Sequence, residues 1–195
     1  VVNRTIMRSG DRSRRLNFSA LVALRHRPPP LSESRLTQLF NARSRVALLL
    51  VGQAFRGPAH DACNSLPLVV RSQQDASLSY VRNFCEPLEA LGAKVDVLHT
   101  FPKCSTPHGT RRLLELLQSV FGGRVVASWT IDSLSDDWGR ALAFVMLSSH
   151  ARSAGVRYDY VLMARHDVGL TRPITTWPSD DFSRVLFEQH CFTVC

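Results

Sequence analysis

The feature that most constrains the fold is the alternation of short apolar runs with longer segments of helical periodicity. The apolar runs have strand length and cover Arg45–Val51 and residues 94–100, 124–131 and 158–165. Apolar residues at helical spacing fill the intervals between them, over residues 72–92, 110–121 and 135–155. Strands that alternate with helices in this way form parallel sheets with right-handed crossovers. The sequence therefore predicts an α/β domain with three layers, helix–sheet–helix, and a mostly parallel, Rossmann-like sheet.

Individual elements carry more detailed expectations about burial. Arg45–Val51 is continuously apolar, which predicts a central strand covered on both faces. Asp96 interrupts the second run and predicts one less-buried face near the sheet edge. In the helix over residues 135–155, one apolar stripe predicts the buried face. That stripe consists of Trp138, Ala141, Leu142, Val145 and Met146.

The positive charge belongs to the first part of the chain. Residues 1–45 hold ten arginines against Asp11 and Glu33, which accounts for the whole net charge of +8 over 195 residues. No nucleic-acid binding is therefore expected for the folded body, whose charges balance. We interpret the Arg-rich and Ser-rich residues 1–30 as a disordered or targeting arm, and residues 31–195 as one α/β domain. The five cysteines are irregularly spaced, which leaves open both scattered thiols and one or two disulfides.

The fourth apolar run ends abruptly in three ionisable residues, Arg165, His166 and Asp167. A buried strand that ends in this way delivers polar groups to its carboxyl end, where open α/β sheets bind ligands. Because side chains alternate along a strand, Arg165 and Asp167 should project to one side and His166 to the other. An ion pair at a strand end, without any ligand, explains the same residues equally well.

The first apolar run is followed by a loop that begins with Gly52 and Gln53 and includes Arg56. Glycine lets the backbone turn sharply and approach a ligand closely. Gln53 and Arg56 supply hydrogen-bond donors. The spacing matches neither a dinucleotide fingerprint nor a P-loop. On these residues alone, a plain strand-to-helix turn is the simpler interpretation.

Three strings, taken together, point to a family. They are VALLLVGQ at residues 46–53, PLEALGAKVDV at residues 87–97 and YDYVLMARHD at residues 158–167. Their order and spacing resemble a group of glycosyltransferase-like proteins with the GT-A fold, and the resemblance covers residues 45–190. It implies transfer of a sugar from a nucleotide-sugar donor to an unknown acceptor, in the Golgi or elsewhere in the secretory pathway, by a membrane-associated enzyme.

The resemblance also implies a donor site at the carboxyl ends of the strands. Its residues would be Gly52, Gln53, Arg56, Arg165 and Asp167. In the GT-A fold the fourth strand commonly delivers an Asp-x-Asp motif that holds Mn²⁺ or Mg²⁺. Asp167 matches the second Asp, as a metal ligand, whereas Arg165 stands in place of the first. Arg165 can instead contact the diphosphate in a bidentate manner, so the metal dependence is left open.

The sequence names no catalytic base. By position alone, the candidates are Asp180, Asp181 and Glu188. The chain starts with Val and stops soon after a fifth strand-like run at residues 184–189, so we expect a fragment that is truncated at its C-terminus. Both this early stop and Arg165 favour the alternative function, a non-catalytic Rossmann-like domain that binds a nucleotide or a protein partner.

Overall fold

The computed structural model describes residues 33–56, 66–104, 107–132 and 136–177. The arm over residues 1–30 and the fifth strand predicted at residues 184–189 lie outside these ranges. Within them, no helix is both long enough and apolar enough to cross a membrane.

Helices and strands follow one another in the predicted order. The helices are α1 (Glu33–Leu39), α2 (Pro67–Tyr80), α3 (Glu86–Ala90), α4 (Pro107–Phe121) and α5 (Asp136–Ser153). The strands are β1 (Arg45–Val51), β2 (Lys94–Pro102), β3 (Val125–Ile131) and β4 (Tyr160–Arg165). A π-helical turn, Val81–Cys85, joins α2 to α3, and 3-10 turns cover Gly122–Arg124 and Ile174–Thr176.

The four strands form one sheet in the order β3-β2-β1-β4, and every pair of neighbours is parallel. β1 is therefore central, as its continuous apolar sequence predicts. From β1 the chain builds outward through β2 to β3, and then returns past β1 to β4. The direction of winding thus reverses between β1 and β4. In open α/β sheets a ligand crevice forms at such a reversal, outside the carboxyl ends of the strands.

Two apolar clusters lie on opposite faces of the sheet, because alternate residues of β1 point in opposite directions. The larger cluster joins Val46, Leu48 and Leu50 to helices α2, α3 and α4. The smaller one joins Ala47, Leu49 and Val51 of β1 to Ala143 and Met146 of α5. Helices therefore cover both faces, which confirms the predicted three-layer α/β architecture.

The expectation that Asp96 marks a less-buried face near the sheet edge is wrong. β2 lies between β3 and β1, and Asp96 is only 1% exposed. Its carboxylate accepts hydrogen bonds from Arg45 Nε and from the Tyr158 hydroxyl, the latter at 2.8 Å. A buried charge is tolerated when it is paired and hydrogen-bonded in this way. Asp96 is thus an internal anchor at the amino end of the sheet.

The predicted buried stripe of α5 is confirmed at Met146 and wrong at Ala141 and Val145, while the side chain of Trp138 lies outside the described residues. Ala143 and Met146 are buried, but Ala141 is exposed and Val145 is 54% exposed. Residues 141–147 are all apolar, so their periodicity does not specify which side of the helix faces the sheet. Contact with Leu49 and Leu98 on the sheet decides the orientation.

The segment predicted to be helical over residues 72–92 runs as α2, the π-helical turn and α3. Pro87 lies in the first turn of α3, directly after the π-helical turn, and no break separates it from α2. The wider turn accommodates a residue that has no backbone N–H to donate. α2 begins at Pro67, earlier than the predicted start at residue 72.

Candidate functional site

The carboxyl ends of β1 and β4 lie side by side at the reversal of strand order. Val51 is the register partner of Arg165, and the His166 backbone N–H donates to the Val51 carbonyl oxygen at 3.1 Å. The loop that begins at Gly52 and the charged end of β4 therefore emerge at the same edge of the sheet. This is the arrangement that the sequence predicted for the two halves of the site.

Arg165 and Asp167 form a bidentate ion pair on one side of the chain. Arg165 Nε donates to Asp167 Oδ1 at 2.8 Å, and Nη2 donates to Oδ2 at 2.6 Å. Arg56 reaches the same carboxylate from the loop after β1, with Nη1 at 3.4 Å from Oδ2. Two guanidinium groups, contributed by two neighbouring strand ends, thus converge on one carboxylate.

The charges around Asp167 keep it ionised. Burial alone would raise the pKa of its carboxyl group, but the hydrogen bonds and charge of Arg165, assisted by Arg56, hold that pKa below its usual value. Arg165 remains 46% exposed through its side chain, whereas Asp167 is 18% exposed. The buried Nε of Arg56 has no hydrogen-bond partner within the part of the chain that the structure describes.

Gly52 gives the loop an open backbone next to the ion pair. Its φ is +87°, in a region that residues with a side chain rarely adopt. Apart from its two chain neighbours, no atom of the described residues would lie within 4 Å of a Cβ placed on Gly52. Gln53 follows and is half-buried. The described residues therefore leave space beside this turn.

Gln73 of α2 is a site residue that sequence reasoning missed. It is 3% exposed, its Oε1 accepts from the Phe55 backbone N–H at 3.0 Å, and its Nε2 donates to the His166 carbonyl at 2.7 Å. Gln73 therefore ties the loop after β1 to the end of β4. In the sequence it is one of two adjacent glutamines in a polar stretch, and nothing there distinguishes it from Gln74.

Three further side chains from the same helical segment hold the chain beyond β4. The Tyr80 hydroxyl donates to the Arg165 carbonyl at 3.0 Å, and Asn83 Nδ2 donates to the Leu170 carbonyl at 2.6 Å. Ser79 Oγ accepts from the Leu170 N–H at 2.8 Å. A Cβ added to Gly169 would lie 2.9 Å from that same oxygen, so only glycine fits there without displacing Ser79. The rigid α2 segment thus fixes the backbone that carries Arg165 and Asp167.

His166 points away from Asp167, as the alternation along β4 predicts. It is 1% exposed, and its Nε2 lies 3.2 Å from the Thr100 carbonyl oxygen, a contact that requires a proton on Nε2. Its ring makes edge contacts with His99 and Phe101. Burial lowers the pKa of His166 to about 4, so the imidazole is neutral at neutral pH. His166 is a core residue and not a ligand of the site.

The residues present do not fit a divalent metal ion as the structure holds them. No group of three or more His, Cys, Asp or Glu side chains that could bind a metal ion occurs among the described residues. Both oxygens of Asp167 accept hydrogen bonds from Arg165, and Arg56 adds a second positive charge. Mg²⁺ and Mn²⁺ prefer several oxygen ligands, whereas the described part of the chain supplies one carboxylate to this cluster, and two guanidinium groups already contact it.

A separate cavity of about 520 Å³ opens between α4 and strands β2 and β3. His99 and Ser128 line it, and Ser128 Oγ lies 2.7 Å from His99 Nε2. Burial, with a smaller contribution from His166, lowers the pKa of His99 to about 3, so its imidazole is neutral at neutral pH. None of the predicted site residues that the structure describes lines this cavity.

Some predictions cannot be placed. Asp180, Asp181 and Glu188, the candidate catalytic bases, lie outside the described residues.

Cys104, which follows β2, is disulfide-bonded, whereas Cys85 is a free, buried thiol. At least one disulfide is thus present, which decides between the two possibilities that the cysteine spacing left open.

Comparisons of the chain with protein-family models, with curated proteins and with solved structures gave no match.

Proposed function

We propose that the chain is a glycosyltransferase-like protein that binds a nucleotide-sugar donor at the carboxyl ends of β1 and β4. One observation carries this proposal. Arg56 and Arg165 converge at the reversal of strand order, where α/β sheets bind nucleotides. The resemblance of three sequence strings to GT-A-type glycosyltransferases supports the same substrate class.

Each residue of the site would contribute a distinct interaction. The planar guanidinium groups of Arg165 and Arg56 suit the oxygens of a diphosphate, which they can bind in pairs. Their fixed positive charge would stabilise the negative charge that grows on the leaving diphosphate as the glycosidic bond breaks. Gly52 leaves room for the nucleotide beside the backbone, and Gln53 offers an amide for hydrogen bonding.

A divalent cation could bind here only if the donor supplied most of its coordination shell. If Mn²⁺ or Mg²⁺ binds, the diphosphate and water must supply most of its ligands, with Asp167 as the protein ligand. The guanidinium groups can supply the same positive charge from the protein.

The alternative function is a non-catalytic domain that binds a nucleotide or a protein partner. The observation that favours it is the engagement of Asp167, since a carboxylate held by two guanidinium groups is not available as a base. Transfer to an acceptor, which is unknown, also needs a base that the described residues do not identify. The disulfide at Cys104 supports the secretory location that the resemblance implies.

Binding of nucleoside diphosphates and their sugar conjugates, measured by titration calorimetry, tests the proposal. We expect Arg165→Gln and Arg56→Gln each to weaken binding roughly ten-fold or more, because charge-assisted hydrogen bonds are lost. Arg152→Gln removes an exposed arginine of α5 and serves as the matched control, which should bind like the wild type. Equal affinity for all four proteins, or no binding at all, would refute the donor site. Release of free sugar or transfer by a binding-competent protein separates the enzyme from the non-catalytic alternative.

A further inference from the structure

We infer that Asp167 is an internal counter-anion that occupies the guanidinium groups of Arg165 and Arg56 until the diphosphate of a ligand displaces it. The site would then bind a diphosphate without a metal ion, and Asp167 would compete with the ligand and not assist it. This inference rests on the proposed function and reverses the role that the family resemblance implies for Asp167.

The hydrogen bonds of the ion pair show that Asp167 and a phosphate would compete for the same edge of Arg165. Arg165 uses the planar fork of Nε and Nη2 on the two oxygens of Asp167, at 2.8 and 2.6 Å. That fork has the same geometry as the one with which arginine binds phosphate. A carboxylate and a phosphate oxygen pair therefore cannot occupy this edge of Arg165 together.

The charge of the cluster favours an anionic ligand over a metal ion. Counted over the described residues alone, two guanidinium groups and one carboxylate give the cluster one excess positive charge. A divalent cation would raise this excess to three at close range, whereas the two negative charges of a diphosphate that replaces the carboxylate would neutralise both arginines. The unpartnered, buried Nε of Arg56 points to the same class of ligand, because it is a donor without an acceptor among the described residues.

The exposed side chain of Arg165 and the fixed backbone beside Asp167 allow a phosphate to replace the carboxylate. The Arg165 side chain is 46% exposed, so incoming phosphate can reach it from solvent. The backbone on either side of Asp167 is held in place, because Gln73 bonds the His166 carbonyl and Ser79 bonds the Leu170 N–H. Displacement of Asp167 therefore needs only a rotation of its side chain.

The test is binding of inorganic pyrophosphate and of UDP to the full chain, first in EDTA and then in MnCl₂. We expect Asp167→Asn to bind both ligands roughly ten-fold more tightly than the wild type in EDTA, because removal of the internal anion ends the competition. Asp75→Asn makes the same charge change at an exposed position of α2 and should leave both affinities unchanged. Adding Arg165→Gln to Asp167→Asn should abolish the gain.

The possible outcomes separate the inference from the proposed function. If Mn²⁺ tightens UDP binding by the wild type and not by Asp167→Asn, Asp167 is a metal ligand and the inference is wrong while the donor site stands. If Asp167→Asn binds no more tightly than the wild type in EDTA, competition by Asp167 is refuted. If no protein binds either ligand at millimolar concentration, both the inference and the donor site are refuted.

A measurement on the wild type covers the case in which Asp167→Asn does not fold. The Arg165 Nε–H resonance, assigned by its loss in Arg165→Lys, should shift during a pyrophosphate titration as its acceptor changes from carboxylate to phosphate. The shift should saturate at the same concentration as the calorimetric binding. Binding that leaves this resonance unchanged would overturn the inference.

Discussion

Asp96 and Asp167 are both carboxylates paired with an arginine, but their surroundings give them different roles. Asp96 lies at the amino end of the sheet, is 1% exposed, and accepts hydrogen bonds from Arg45 and Tyr158. Asp167 lies at the carboxyl end, and its partner Arg165 is open to solvent. The first pair is positioned to stabilise the fold, and the second is positioned to exchange partners.

Removing the Asp96 carboxylate should destabilise the protein strongly. In Asp96→Ala the guanidinium of Arg45 loses its buried anion and the Tyr158 hydroxyl loses its acceptor, so we expect a loss of about 3 kcal/mol or more in the free energy of unfolding. Urea denaturation followed by circular dichroism measures this loss. Asp75→Ala, at an exposed position, is the control and should change stability by less than about 0.5 kcal/mol. Similar stability of the two variants would show that the buried network is unimportant.

The two buried histidines predict a loss of stability in mild acid. Burial lowers the pKa of His99 to about 3 and that of His166 to about 4, whereas an unfolded histidine titrates near about 6.5. Below that pH the unfolded chain binds more protons than the folded one. The stability that the neutral rings provide is therefore complete above about 6.5 and is lost progressively as the pH falls toward the folded values.

Each histidine should lower the free energy of unfolding by up to about 1.4 kcal/mol for each unit by which the pH falls in this window. Urea denaturation at pH 7.5, 6.0 and 5.0 gives the slope, above the range in which most carboxylates titrate. His166→Gln, which cannot be protonated, should roughly halve that slope. A free energy of unfolding that stays constant from pH 7.5 to 5.0 would contradict the depressed pKa values.

At the scale of elements, the sequence predicts the sheet more fully than the helices. Arg45–Val51 has the predicted bounds and the predicted central position, because a continuous apolar run has few other places in an α/β fold. The phase of α5 could not be predicted, because residues 141–147 offer the sheet an apolar surface in every direction. Burial of Asp96 depends on Arg45 and Tyr158, which are distant in sequence.

Some residues of the candidate site could be predicted from the sequence, and others could not. Arg165, Asp167 and the loop beginning at Gly52 could be placed at one edge, because the carboxyl ends of parallel strands meet there. Strand alternation also predicted the direction of His166. Gln73 could not be found, since its role depends on two backbone groups from distant segments and leaves no local pattern.

Gln73→Ala tests whether α2 positions the site. The variant leaves the Phe55 N–H and the His166 carbonyl without their partner, which should destabilise the protein by about 2 kcal/mol. If Gln73 also positions Arg56 and Asp167, nucleoside diphosphate binding should weaken roughly ten-fold at a temperature where the variant is fully folded. Gln74→Ala, at the exposed neighbouring position, is the matched control. A destabilised variant with wild-type affinity would give Gln73 a purely structural role.

At the scale of the whole molecule, the excess positive charge and the candidate site belong to different parts of the chain. The excess positive charge belongs to residues 1–45, whereas the arginines of the site form part of a body whose charges balance. The chain therefore offers two distinct ways to attract anions. The arm would act through its density of charge, and the site would act through the geometry of two guanidinium groups.

Deletion of residues 1–30 should separate these two properties. We expect the shortened chain to lose weak binding to duplex DNA or heparin, a binding that falls steeply with salt in the full chain. Binding of nucleoside diphosphates should persist with unchanged affinity. Titrations at 50 and 200 mM NaCl measure both. Retention of salt-sensitive DNA binding by the shortened chain would place a basic surface on the folded body.

The π-helical turn at Val81–Cys85 sets the rotation between two groups of contacts on the helical segment. Gln73 and Tyr80 precede it and hold the strand end, while Leu88 follows it and fills the core. A π-helical turn holds one residue more than an α-helical turn, so winding the same residues as a regular α-helix would rotate the two groups relative to each other by about 100°. Deletion of one residue within the turn should therefore preserve both groups of contacts, whereas deletion of one residue between Gln73 and Tyr80 should disrupt one of them.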